Sequence, residues 1–358
     1  MVGRRLLLIS MFIACTLFGI EAAQNPVVEM NLFTSTAYIF DSQDVKQGMG
    51  MDLKISLPSE NSGNVRGEVA LRTSSTTPIT SFDDIIYKAY LRTRFPSFRL
   101  TAGKTRLSWG DGMLFNAADI LYGSSSVSVD LTQAELRSKT DWLISVNYPL
   151  GFFSFVEAVF LPSKTGQAQD MGTGARLYTN VGEMKVEGGY LTKEEAGRLH
   201  KFYASLQGNI GFDWYLASSI TINQSNFSAS ATQKSWMISG GLFHMQQLSG
   251  GRNLSLRLEI LSRPFGAWKV ESQSETTCAL LFYPEVVYNP TSTLLLSLKA
   301  IFSPLDLSAQ LTAGASWAVF EGFSLIANIS SPFGKSGDLF NWDDDNAVAL
   351  TLGASWIY

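Results

Sequence analysis

The 358-residue chain is 46% hydrophobic and 12% aromatic but only 16% charged, with a formal net charge of −4, whereas a typical soluble domain carries about 25% charged residues. This balance excludes a disordered chain and a basic nucleic-acid-binding face. After the N-terminus no stretch supplies the roughly 20 apolar residues of a membrane-spanning helix; the best candidate, 307–320, is interrupted by Ser308, Gln310, Thr312 and Gly314.

Residues 1–23 read as an export leader. Arg4 and Arg5 form a basic start, Leu6 to Ile20 a nearly continuous apolar run, and Ala22-Ala23 a cleavage site, with Glu21 the poorest fit. The apolar run continues past Cys15, which favours ordinary cleavage over lipid attachment at that cysteine. The expected mature chain, 24–358, is one domain. It keeps a single cysteine, Cys278, so no intrachain disulfide can form.

From there the dominant period is 2, the period of a strand with two unlike faces. Met49, Met51, Leu53, Ile55 and Leu57 alternate with Gly48, Gly50, Asp52, Lys54 and Ser56; Leu307, Ala309, Leu311, Ala313, Ala315 and Trp317 alternate with Ser308, Gln310, Thr312, Gly314 and Ser316. The segments are 27–40, 47–57, 65–75, 84–95, 97–106, 139–148, 151–162, 172–181, 184–192, 200–208, 212–223, 234–246, 253–262, 277–288, 292–303, 305–319, 322–331 and 347–358. Many are about as long as the ~9–11 residues that cross a bilayer and longer than the ~5–6 usual in globular sheets. The fold class is therefore all-β: a transmembrane antiparallel β-barrel of about 18 strands, with 16 as the alternative. The weakest segments are 234–246, whose face is ambiguous, and 277–288, where Pro284 cannot donate a ladder hydrogen bond.

Connectors alternate in length. Those at 96–97, 149–150, 182–183, 209–211, 289–291 and 320–321 are tight, with 58–64 and 247–252 modest exceptions, and those at 107–138, 163–171, 193–199, 224–233, 263–276 and 332–346 are long, the pattern of periplasmic turns and external loops. Phe95, Phe98, Tyr148, Phe152, Phe212, Trp214, Trp317, Phe320 and Phe323 flank the tight turns, where an interfacial girdle belongs. The last strand places Leu350, Leu352, Ala354, Trp356 and Tyr358 on one face and ends on the aromatic.

That ending resembles the C-terminal signature of outer-membrane β-barrels, in which the terminal aromatic is read by the barrel-assembly machinery. Together with the leader and the periodicity, the whole of 27–358 resembles a porin-class barrel of a diderm bacterium. The resemblance implies contact with outer-membrane lipid, small solutes as cargo and an oligomer, for which no sequence feature speaks directly. It also implies that the long connector after strand five folds into the lumen and constricts it. An external cap is the alternative, since Leu114, Phe115, Ile120 and Leu121 must pack somewhere. Lys104 to Leu121 also resembles a Trp-Gly-x-Gly…Asn-Pro-x-Asp segment of outer-membrane barrels, with Ala117 in place of the proline.

Facing rules put Arg66, Arg72, Lys88, Arg92, Arg94 and Arg99 on the lumen side of strands three to five, with Glu157, Arg257 and Glu259 also inward. The candidate constriction residues are Trp109, Asp111, Asp119 and Asp130, an acidic connector set against a basic wall. The expected function is passive diffusion of small hydrophilic solutes. A transporter for apolar solutes such as fatty acids, using Phe33, Phe153, Phe155 and Leu295, is the runner-up, and a structural or adhesin surface barrel the third class. His200 and His244 are the only histidines and no Cys/His metal spacing occurs. The sequence thus predicts no enzyme, cofactor or metal; Asp343 to Asp345 read as an exposed acidic loop.

Overall fold

Alternation sets the architecture. The strands place apolar side chains outward against lipid, and a sheet in a membrane must close so that no edge is left unpaired. The computed structural model describes residues 26–39, 43–57, 64–75, 79–123, 136–137, 139–163, 166–195, 197–225, 227–270, 278–342 and 347–358; the leader, Asp130 and Asp343–Asp345 lie outside them. The strands are β1 (Val27–Ile39), β2 (Asp44–Leu57), β3 (Val65–Ser74), β4 (Ile86–Arg94), β5 (Arg99–Thr105), β6 (Asp141–Gly151), β7 (Ser154–Leu161), β8 (Gly172–Val181) and β9 (Met184–Glu194). They continue as β10 (Arg198–Asn209), β11 (Asp213–Asn223), β12 (Met237–Leu248), β13 (Arg252–Ser262), β14 (Leu280–Asn289), β15 (Leu294–Ser303), β16 (Ser308–Phe320), β17 (Phe323–Phe333) and β18 (Ala347–Ile357). All belong to one 18-stranded sheet. Each pairs antiparallel with its chain neighbours, and β1 pairs with both β2 and β18, closing the barrel.

Eighteen strands, not 16, fill the ring, and the differences from the predicted segments have local causes. Residues Phe82–Ile85 form a helical turn, α1, whose Asp84 carboxylate accepts the Thr80 and Ser81 amides at 2.9 and 2.7 Å, so β4 starts at Ile86. A second short helix, α2 (Ala229–Lys234), is capped by Ser228 and delays β12 to Met237. Leu307, assigned above to a strand, lies in the β15–β16 turn at φ +59° and is 75% exposed. The connector at 193–199 shrinks to 195–197, so the rim of long connectors also carries short turns. Pro284 does lie within β14, and the β14–β15 register skips Tyr283 and Pro284.

The outer face carries exposed Leu32, Leu177, Leu216, Leu256, Leu296 and Leu350. Tyr148, Phe212, Trp317, Phe320 and Trp356 mark the short-turn rim, with Phe95–Phe98 and Phe320–Phe323 stacked at 4.5 and 4.9 Å. A second aromatic set, Tyr38, Phe82, Trp236, Trp268 and Phe333, marks the other rim. Sequence reading missed it because most of these rings sit in or beside long connectors.

Candidate pore and the segment folded into it

Residues 106–123, between β5 and β6, are bonded to side chains on the inner wall, and their apolar character is the reason. Trp109, Leu114, Phe115, Ala117, Ala118, Ile120 and Leu121 are buried. Trp109, Ala117, Ala118, Ile120 and Leu121 pack on Leu143, Val159, Leu161, Leu191, Tyr203 and Ala217. Leu114 and Phe115 join Leu261, Leu281, Tyr283, Ile301 and Leu339. Burying a side chain of this size is worth about 1.5–3 kcal/mol.

An irregular backbone inside a membrane barrel needs a partner for every amide and carbonyl, and the wall supplies them. Glu259 on β13 accepts the amides of Met113, Leu114 and Phe115 at 2.8, 2.9 and 2.8 Å. Ser239 Oγ on β12 accepts the Ala117 amide at 2.8 Å, and the Tyr215 hydroxyl on β11 donates to the Phe115 carbonyl at 2.8 Å. Lys193 on β9 donates to the Leu121 carbonyl, and Arg176 on β8 to that of Ser108. Residue 110 takes glycine because its φ of +72° disfavours other residues and a side chain there would collide with Asn116 and Ala118.

Trp109 lies flat on Tyr203, 5.6 Å between centroids, and its Nε1 donates to Glu157 Oε2 at 3.0 Å. Glu157 also accepts from Ser145 Oγ and Arg176 Nε, both at 2.8 Å, and Arg176 spans to Glu187 at 2.9 Å. Tyr203 donates to Glu187 as well. Buried carboxylates cost several kcal/mol each in lost hydration; charge-assisted hydrogen bonds of about 1.5–3 kcal/mol apiece offset that. Glu157 and Glu259, both expected to line the lumen, thus face inward but lie beneath the inserted segment. Arg257 lies between Glu259 and Glu285, at 3.3 and 3.2 Å, with its guanidinium over the Phe243 ring.

The acidic connector opposed to a basic wall needs correction at Asp119. Its carboxylate is buried and paired with Arg106 and Arg137, both nearby in the same connector. Asp111 is exposed and borders a cavity of about 200 Å³ shared with Gln207, Asp213, Phe243 and Arg257. Phe153 lies in the β6–β7 turn, 70% exposed, not on the lumen wall; Phe155 does point inward and stacks on Tyr178 at 4.8 Å.

The basic stripe divides in two. Arg72 pairs with Asp52 at 2.8 Å under Tyr87, and Lys88 lies 3.9 Å from Glu68. Arg66, Arg92, Arg94 and Arg99 are exposed, and no carboxylate among the described residues is within 4.0 Å of them. Arg66 sits directly across from Arg92, and Arg94 from Arg99. Like charges directly opposite destabilise a sheet. At the seam, Tyr358 exchanges backbone hydrogen bonds with Val28 at 2.7 and 2.8 Å, and Trp356 meets Phe323 edge-on.

The fold matches solved barrels along nearly their whole length. These include Pseudomonas aeruginosa OccK8 (OprE), with 11% identity over 95% of this chain and 99% of that one and a TM-score of 0.56. P. aeruginosa OpdQ is 8% identical over 94% and 99%, with a TM-score of 0.59. A variant of the Rh. blastica porin is 10% identical over 93% and 100%, with a TM-score of 0.50. No protein-family model and no curated protein sequence matches the chain. The chain is a transmembrane β-barrel with the fold of outer-membrane porins, and its outward apolar belt between two aromatic girdles suits that membrane.

Proposed function

We propose that the protein is an outer-membrane channel through which small hydrophilic solutes diffuse passively, with a preference for anions. The observation that carries this reading is the pair of cross-strand arginine contacts, Arg66 with Arg92 and Arg94 with Arg99. Four exposed guanidinium groups on the inner wall raise the local anion concentration in a low-dielectric passage. Placed directly opposite one another they cost stability, which a functional role explains better than packing does. In this reading residues 1–23 direct export and are removed, and the strand ending in Trp356 and Tyr358 is the assembly signal. Four exposed arginines on β3–β5 favour a hydrophilic cargo over an apolar one, although Phe33 and Phe155 also face inward.

Reconstitution into planar bilayers tests the reading. Steady ohmic conductance is expected; a sealed bilayer with correctly folded protein would refute it. Arg92→Glu combined with Arg99→Glu should move the reversal potential under a salt gradient toward cation selectivity. An unchanged potential would mean that these side chains do not line the path.

A further inference from the structure

Tyr215, Gly241 and Glu259 stand side by side on β11, β12 and β13. A side chain at Gly241 would lie 2.2 Å from the Tyr215 ring, so the glycine leaves the slot across which that ring lies. The Tyr215 hydroxyl then reaches the Phe115 carbonyl, while Glu259 gathers the three consecutive amides that precede it. Consecutive amides converging on one anion form a nest. The turn that presents them needs Gly112, where a Cβ would lie 2.0 Å from the Phe115 carbonyl oxygen and 2.8 Å from the Tyr215 hydroxyl. The strands that hold 106–123 through such bonds are β5, β7–β9 and β11–β13.

We propose that Glu259 is a positioning residue that pins segment 106–123 against this wall as a fixed partition, so that solutes pass along the arc from β16 through β18 to β5 and the segment does not act as a gate. The proposal rests on the channel reading. Lifting the segment would break three charge-assisted amide bonds to Glu259 at once, leaving Arg257 and Tyr215 beside the carboxylate, and would also give up the burial of Leu114 and Phe115. An element held this way has one position, not two of similar energy.

Three barrels, unmodified, Glu259→Ala and Glu259→Gln, are refolded, checked by heat-dependent migration and compared in planar bilayers. Glu259→Ala should raise open conductance about two-fold or more and add flicker, because the partition is freed. Glu259→Gln keeps one accepting oxygen and should show a smaller rise. It also serves as the decisive variant if the alanine barrel does not fold. Ala117→Cys with Ser239→Cys, oxidised where the Ala117 amide meets the Ser239 side chain, should leave the conductance and noise of the otherwise unmodified barrel unchanged. Glu259 variants that conduct like the unmodified barrel overturn the proposal, as does a disulfide that alters conductance or abolishes transitions. A folded, unmodified barrel without conductance refutes the channel reading instead. Maleimide labelling of Ala117→Cys in a Cys278→Ser background then tests the anchoring by itself. It should be slow with Glu259 present and about ten-fold faster with Glu259→Ala; equal rates overturn it.

Discussion

The wall of this barrel has two arcs built on the same strand period but with different inner faces. From β6 to β15 the inner face carries Leu143, Val159, Leu161, Leu191, Ala217, Leu261, Leu281 and Ile301, all buried. Carboxylates in the same arc are spent on Trp109, Arg176 and the amides of the inserted segment. From β16 through β18 to β5 the inner face is Gln310, Gly314, Asn328, Thr351, Gly353 and Gly50, with Lys54–Glu29 and Arg72–Asp52 ion pairs and the four exposed arginines. The first arc behaves like a protein core that lies inside a membrane barrel. The second is polar, with glycines, ion pairs and exposed arginines. Inward charge therefore has two settings in one barrel: under the segment it is buried and structural, and on the other arc it is either ion-paired, as at Arg72–Asp52, or exposed, as at Arg66, Arg92, Arg94 and Arg99.

Stability should expose that difference most strongly. Trp109→Ala removes a fully buried ring and its bond to Glu157 and should cost about 3–5 kcal/mol. Ser316→Ala on the open arc should stay within about 0.5 kcal/mol. Urea titration of the folded barrel in lipid checks both, and equal losses would erase the distinction between the arcs. A smaller contrast lies in one glycine pair. Gly241→Ala drives a methyl into the Tyr215 ring and should cost about 1–3 kcal/mol. Its neighbour Gly240 has 3.4 Å to the nearest atom, so Gly240→Ala should be near neutral in the same titration.

The weakest effect concerns the rim. Asp306, in the β15–β16 turn, accepts the Leu339 amide at 2.7 Å and the Ser308 hydroxyl at 2.8 Å, tying the β17–β18 connector down beside the packed arc. Burial pushes its carboxyl up, but the Leu339 amide and the Ser303 and Ser308 contacts outweigh it, and its pKa lies below the usual carboxylate value. A carboxylate depressed in this way contributes its stability above the unfolded pKa of about 3.9 and loses it as pH falls through the folded value. Pepsin cleavage at Leu339-Phe340 should therefore rise steeply below about pH 4. Asp306→Asn should be cut across the whole acid range; identical profiles would leave Asp306 without this role.

Much of the wall was legible in the sequence. Each of the eighteen strands overlaps a segment read from the sequence, with ends shifted by up to a few residues as at β4, β12 and β14, because a bilayer outside and polar groups inside impose opposite demands on successive residues. Arg66, Arg92, Arg94 and Arg99 follow from the same rule. Tyr203, Tyr215 and Ser239, which hold the inserted segment, were missed, although a signal for them existed. Val159-Phe160-Leu161, Ile260-Leu261 and Ala279 to Tyr283 are apolar on both faces, so something dry had to lie inside those strands. The apolar core of 106–123 is the matching partner, yet nothing local says which wall it meets.

The sequence by itself determined the closed antiparallel barrel, its lipid face and the inward direction of its charges, because period and hydrophobicity act within a strand. Only the tertiary structure decided which of those charges meet water. Glu157, Glu259 and Arg99 obey the same facing rule. What separates them is a segment brought against Glu157 and Glu259 from about 50 and 145 residues away in the chain, a distance over which no local pattern carries information.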